Sequence, residues 1–113
     1  MIDGLTTSLE RYMDLLSARQ KVVSSNIANV DTPGYKTKDL NFQAELQAAS
    51  YLDNPLPVEV PDLPVKNDGN NVSLDREARL LAENDLRFTL ASVLVRGNLS
   101  LIKSAIHEGK TSA

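Results

Sequence analysis

Few residues in this chain are equipped for bond-making chemistry, and those few are not arranged for it. There is one histidine, His107, and no cysteine. His107 falls in the last turn of a helical pattern, where a cation suits the negative end of the helix dipole. That capping role accounts for it without catalysis. The fifteen Asp and Glu residues are spread along polar faces, with no pairing that would serve acid–base work. A metal ion would find one imidazole and no thiolate, which leaves only carboxylates. Asp31 to Gly34 also spells the aspartate-to-glycine element that senses a γ-phosphate in GTP-binding proteins. That element follows a buried strand and lies downstream of a GxxxxGK[ST] loop whose amides cradle the phosphates. Here it follows an amphipathic helix and no such loop precedes it. The expectation is a protein that is not an enzyme, with no cofactor, no metal and no small-molecule substrate.

The polar residues that do form a pattern lie between Ser24 and Lys36, SSNIANVDTPGYK. Asn26 and Asn29 are three apart, on one face of the final turns of a helix. Ser24, Ser25 and Ala28 keep their surroundings small, so that another backbone can come close. Carboxamides both donate and accept, which suits them to the irregular backbone of a neighbouring segment. Thr32 precedes proline and is pushed out of the helical region, so the helix ends near Val30 or Asp31. Pro33 and Gly34 fit the central positions of a type II turn, proline presetting φ and glycine supplying φ > 0. Tyr35, just past the turn, is a rigid amphipathic anchor of the kind found at interfaces. Two readings of these residues stay open: a binding surface, or an elaborate helix end with solvated asparagines.

The elements that must position this stretch form an all-α pattern. Residues 1–30 read as one helix, with Ile2, Leu9, Leu16, Val23 and Val30 seven apart and Leu5, Tyr12, Met13 and Ile27 beside them. Arg19 and Asn26 interrupt the second seam. Residues 73–109 repeat the pattern in Leu74, Leu81, Phe88, Val95 and Ile102, with Leu99 and Ile106 on a companion seam that Asp85 and Ser92 interrupt. Heptads held over several repeats predict two long helices packed as a coiled-coil-like hairpin. Ser73 is the expected N-cap of the second helix, Asp75 and Glu77 suit its positive end, and Gly109 is its expected stop. Leu80, Leu90, Leu94 and Leu101 lie off the main seam, more apolar surface than one partner helix can cover. Gly97 is either tolerated within the helix or marks a close helix approach.

The connection, residues 31–72, has a different character. It holds all five prolines and seven acidic against three basic residues, and reads as a long Pro-rich acidic loop. Within it, LNFQAELQAAS is expected to form a short helix, with Leu40, Phe42 and Leu46 against apolar surface. A loop of this length reads as functional or as disordered when alone. The net charge of −3 offers nothing to nucleic acid. No apolar run is long enough to span a bilayer, and the N-terminus lacks the pattern of a cleaved signal peptide. With no tryptophan, five Phe and Tyr, and no cysteine, the core is thin. Such a chain is expected to be marginal alone and completed by partners.

SSNIANVDTPGYK resembles the N-terminal signature of the flagellar rod and hook proteins, whose pattern runs close to A-x-N-[IL]-A-N-x-x-T-P-G-[YF]-K. The matching residues are Asn26, Ala28, Asn29, Thr32, Pro33, Gly34, Tyr35 and Lys36, with Ile27 in the permitted apolar position. A second block, NDGNNVSLDREARLLAENDLRF, is similar to the family's approach to its C-terminal helix. The tail LSLIKSAIHEGK and the middle piece YKTKDLNFQAEL suit the family's shortest, proximal-rod member. Asp85 stands where a neutral amide is expected and Ala78 where methionine is usual, and neither breaks the heptad. The resemblance implies a structural subunit that stacks with copies of itself and with homologous rod proteins into a hollow axial rod. It further implies contact with the inner-membrane ring and adaptor proteins at the rod base. Passage through the flagellar type III export apparatus, without a cleaved signal, would bring the chain to the periplasmic part of the basal body. On this view the motif residues form part of the joint between subunits, and Leu80, Leu90, Leu94 and Leu101 face the assembly. The other reading that composition permits is a soluble coiled-coil adaptor or export chaperone with a single partner.

Overall fold

The computed structural model describes residues 2–48 and 55–111; the side chains of residues 2, 3, 110 and 111 are outside the description. Five elements follow in order: α1 (Ile2–Ala28), β1 (Lys38–Asp39), α2 (Phe42–Gln47), β2 (Val58–Glu59) and α3 (Leu74–Thr111). The fold is mostly helical, with α1 and α3 forming an antiparallel hairpin that gives the chain its extended form, 73 × 27 × 17 Å. At 1.5 Å per residue the 38 residues of α3 alone span about 57 Å.

Leu16 and Val23 of the predicted seam are buried, Leu9 and Val30 are half-buried, and Leu15, which the heptad did not select, joins them in the core. Ile2 lies in α1, but its side chain falls outside the described residues. On α3 the facing differs from the sequence reading. The buried line is Glu77, Asn84 and Ala91, continued by half-buried Asn98, also seven apart and mainly polar. Leu81, Val95 and Ile102 flank that line and are half-buried, whereas Leu74 and Phe88 are exposed. Leu99 and Ile106 face solvent too. The buried line therefore lies one residue from the companion seam that the sequence predicts. The reason is that polar side chains on α3 meet polar mates on α1: Asn98 Nδ2 donates to Thr6 Oγ1 (2.6 Å), Asn84 Nδ2 to the Leu16 carbonyl (2.8 Å) and Gln20 Oε1 (3.0 Å), and Asn26 Nδ2 to Glu77 Oε2 (3.1 Å). A hydrophobicity pattern is blind to such pairs.

The start of α3 is as expected. Ser73 Oγ accepts the Arg76 backbone N–H at 3.3 Å, the N-cap bond. Its end is not: the helix runs through Gly109 to Thr111. An added Cβ at Gly97 would meet nothing within 4 Å, so among the described residues no segment makes a close approach there.

The connection is partly built. Leu40 and Val72 are buried and tie it to the hairpin. The expected short helix is α2, six residues long; Ala49 and Ser50, with which the sequence reading ended it, lie outside the described residues. Its last carbonyls are satisfied from outside: Arg11 donates to Glu45 O (2.8 Å) and Ala48 O (2.7 Å), placing a cation at the negative helix end. Tyr12 meets Phe42 edge to face with ring centroids 5.7 Å apart. The pairing of β1 with β2, an antiparallel ladder matching Lys38 with Glu59 and Asp39 with Val58, was not foreseen. Two-residue strands carry no periodicity to detect.

Candidate assembly site

The structure folds the two sequence blocks, Ser24–Lys36 and the stretch beginning at Asn67, against each other. α1 ends at Ala28, and Pro33 and Gly34 make the predicted type II turn. Gly34 has φ of +77°, and the Tyr35 N–H donates to the Thr32 carbonyl at 3.2 Å. The second block makes its own reversal. The Gly69 N–H donates to Lys66 O (2.9 Å), the Lys66 N–H donates to Asn70 O (2.8 Å), and Gly69 sits at φ +86°. This is a type I turn closed by a left-handed glycine, a G1 bulge. The two glycines touch: a Cβ on Gly69 would lie 3.4 Å from Gly34 Cα. It is the left-handed φ at both positions, not the contact, that calls for glycine.

Asparagines stitch the blocks together. Asn70, fully buried, donates from Nδ2 to the Asn29 and Thr32 carbonyls (2.9 and 2.8 Å), a second hydrogen bond for each, since they also accept the Thr32 and Tyr35 N–H groups. Its Oδ1 accepts the Val72 N–H at 2.8 Å. Asn71 Oδ1 accepts the Thr37 N–H at 2.6 Å, and Thr37 Oγ1 donates to Asn71 O at 3.1 Å. The Gly34 N–H donates to Asp68 O at 2.9 Å, and Lys36 Nζ donates to Gly69 O.

Beneath the turns lies a charged network. Asn26 is completely buried and uses all four of its hydrogen-bonding positions inside the chain. Nδ2 donates to Lys38 O and Glu77 Oε2, while Oδ1 accepts from the Tyr35 hydroxyl (3.0 Å) and the Lys38 N–H (3.1 Å). Glu77, also fully buried, receives Arg76 on its other oxygen at 2.7 Å. Arg76 reaches Asp39 at 3.5 Å, and Asp39 takes a two-pronged grip from Arg19 (3.1 and 2.9 Å). A buried carboxylate is tolerated only when paired and hydrogen-bonded in this manner. Farther along the hairpin the Tyr12 hydroxyl, followed by Glu83, pushes the Arg87 guanidinium above its ordinary value. An arginine is charged in either case, so no switch results.

The other predicted motif residues take distinct places. Asn29 is half-buried and works locally, donating to Ser25 O (2.8 Å) and accepting from Thr32 Oγ1 (3.0 Å). Ile27, Tyr35 and Lys36 are half-buried, whereas Ala28, Thr32, Pro33 and Gly34 are exposed. On α3, Leu90, Leu94 and Leu101 face solvent and Leu80 is half-buried. Leu86 and Val93, not selected from the sequence, extend this outward apolar stripe. Leu94 and Leu101 also line an open apolar groove of about 470 Å³ with Leu5, Leu9, Val93 and Gly97. Sequence reasoning further missed Arg19, Thr37, Asp39, Asn70, Asn71 and the inward role of Glu77. The interruptions of the α1 seam at Arg19 and Asn26 were the available signal, because a polar residue on a buried stripe needs a mate.

A helical hairpin locked by a polar knot at its closed end, with its leucine stripe turned outward, defines a structural subunit for helix-to-helix assembly. The family model described as flagella basal body rod protein matches residues 13–36, the end of α1 and its turn. The flagellar basal body rod protein FlgB of Bacillus subtilis is 30% identical over 127 residues, covering 97% of this chain and 98% of the relative. FlgB of Borrelia hermsii is 36% identical over 106 residues, covering 71% and 78%. FlgB of Escherichia coli K12 is 29% identical over 138 residues, covering 96% and 99%. The chain belongs to the FlgB family of flagellar basal body rod proteins. It is a structural subunit of that rod, located in the basal body, and not an enzyme. This membership sets aside the single-partner adaptor reading.

Proposed function

We propose that the chain is a subunit of the proximal segment of the rod, joining copies of itself and homologous rod proteins above the inner-membrane ring and its adaptor proteins. The observation that supports this most is the outward leucine stripe of α3. A chain with so little core that leaves Leu86, Leu90, Leu94 and Leu101 in water is incomplete by itself. In this reading residues 1–30 and 73–109 act as one rod-core unit and residues 31–72 as its connection. The exposed Thr32–Gly34 turn, with Ile27, Ala28, Tyr35 and Lys36 around it, meets the neighbouring subunit. Asn26 and Asn29 contribute by shaping that turn. Leu80, at the edge of the stripe, and Leu90, Leu94 and Leu101 take helices of adjacent subunits. The thin core fits passage through the flagellar export apparatus in an unfolded state.

Deletion of the gene, with electron microscopy of purified basal bodies and a motility assay, tests the placement. Basal bodies that stop at the membrane ring, without rod or hook, are the expected result. Structures that retain a proximal rod and lack only later segments would overturn the proximal assignment.

A further inference from the structure

α3 carries two apolar stripes, and the one facing α1 is the poorer. The inner line runs Glu77, Asn84, Ala91, Asn98, flanked by Leu81, Val95 and Ile102. The outer stripe holds Leu86, Leu90, Val93, Leu94 and Leu101, each at least half exposed. Apolar burial alone would rotate α3 to place the leucines on α1. Val93, Leu94 and Leu101 reach only the open groove that they share with Leu5 and Leu9, and something must oppose the further rotation along the length of the helix. The knot grips α3 only at its first turns, through Ser73 to Glu77. Asn98 lies 21 residues beyond Glu77, about 31 Å along the axis.

We propose that Asn84 and Asn98, through their bonds to Gln20 and Thr6, are positioning residues that decide which stripe of α3 meets α1 and so hold the leucine stripe outward. The two amides sit fourteen residues apart, on one line of the helix. Each has a polar mate at the matching level of α1: Gln20 Oε1 at 3.0 Å and Thr6 Oγ1 at 2.6 Å. Rotation of α3 would put leucines against these mates and strip them of their partners, the penalty of burying an unpaired polar group. Asn84 has the marks of a residue retained for specificity. It is 4% exposed, and its Oδ1 accepts no hydrogen bond among the described residues. A leucine there would pack without that loss. A buried amide that costs stability and fixes how helices meet is the best-attested use of polar core residues. The inference concerns facing within one chain and does not depend on what later covers the leucines.

The absence of native cysteine makes the test clean. Single-cysteine chains, Leu90→Cys on the outer stripe and Ala91→Cys on the inner line, are purified and their thiol alkylation rates compared. These positions are 59% and 2% exposed, so with the amides in place Leu90→Cys should react roughly tenfold faster or more. In an Asn84→Ala, Asn98→Ala background, which removes the amides without enriching the inner line in leucine, and with helix content unchanged by circular dichroism, the two rates should converge or invert. The exchange Asn84→Gln with Gln20→Asn keeps an amide pair and should preserve the original ranking. An unchanged ranking in the alanine background would overturn the proposal, leaving the knot and the other contacts with α1 to orient α3. Loss of helix in that background would also overturn it, because the amides then hold the hairpin together and do not merely choose its facing. A failure here leaves the rod assignment untouched, since the deletion phenotype is independent of thiol reactivity.

Discussion

Asn26 and Asn29 look equivalent in the motif, yet the structure gives them unequal work, and substitution should separate them. Asn26→Ala would leave the Tyr35 hydroxyl, the Lys38 N–H and one oxygen of buried Glu77 without their partner. The expected loss in denaturant unfolding of the purified chain is on the order of 3 kcal/mol. Asn29→Ala removes only two local bonds at the end of α1, and about 1 kcal/mol is expected in the same measurement. Equal losses would mean that Asn26 is not the hub of the network. Gly34→Val forces a β-branched residue to φ of +77°, a cost of about 1–2 kcal/mol, and displaces the turn from Asp68 and Gly69. Motility of a strain carrying only this variant should be lost; normal rods would show that the turn tolerates another conformation.

Among elements, α1 supplies most of the helical core and α3 most of the exposed apolar surface. Leu16 is 1% exposed at the centre of α1, so Leu16→Ala should destabilise the hairpin by about 2–5 kcal/mol. Leu86 is 71% exposed on α3, and Leu86→Ala should stay within about 0.5 kcal/mol of wild type. Thermal unfolding followed by circular dichroism distinguishes the two. The contrast matters because heptad spacing alone ranks leucines on the two helices alike. Loss of the Ser73 hydroxyl in Ser73→Ala, read in the same experiment, should cost about 1 kcal/mol and fray the start of α3.

At the scale of the whole molecule, an elongated hairpin fastened at one end presents its leucine stripe along its length. Leu94→Ser combined with Leu101→Ser should leave the isolated chain's helix content and unfolding midpoint close to wild type, because both side chains are already more than half exposed. Rod formation, judged by electron microscopy of basal bodies from a strain carrying the double variant, should fail. Damage to the isolated chain equal to the damage to assembly would place these leucines in the intramolecular core instead.

The sequence by itself determined the two long helices, the N-cap at Ser73, the sharp stop after α1 and the type II turn at Pro33-Gly34. Each follows from local chemistry: apolar spacing, a hydroxyl before a helix, proline's effect on its predecessor, glycine's freedom at positive φ. The motif also carried the resemblance to flagellar rod proteins. Only the tertiary structure decided that Asn26 points inward to Glu77, that Asn70 closes the end of α1 from forty residues away, and that Gly34 and Gly69 meet. It also decided which stripe of α3 faces its partner. Polar pairing across a hairpin joins residues far apart in the chain, and a pattern of hydrophobicity registers each such residue only as an interruption. The same distance effect hid the small ladder between β1 and β2. What makes a helix is written within a few residues; what a helix turns toward depends on the hydrogen bonds its polar side chains find elsewhere.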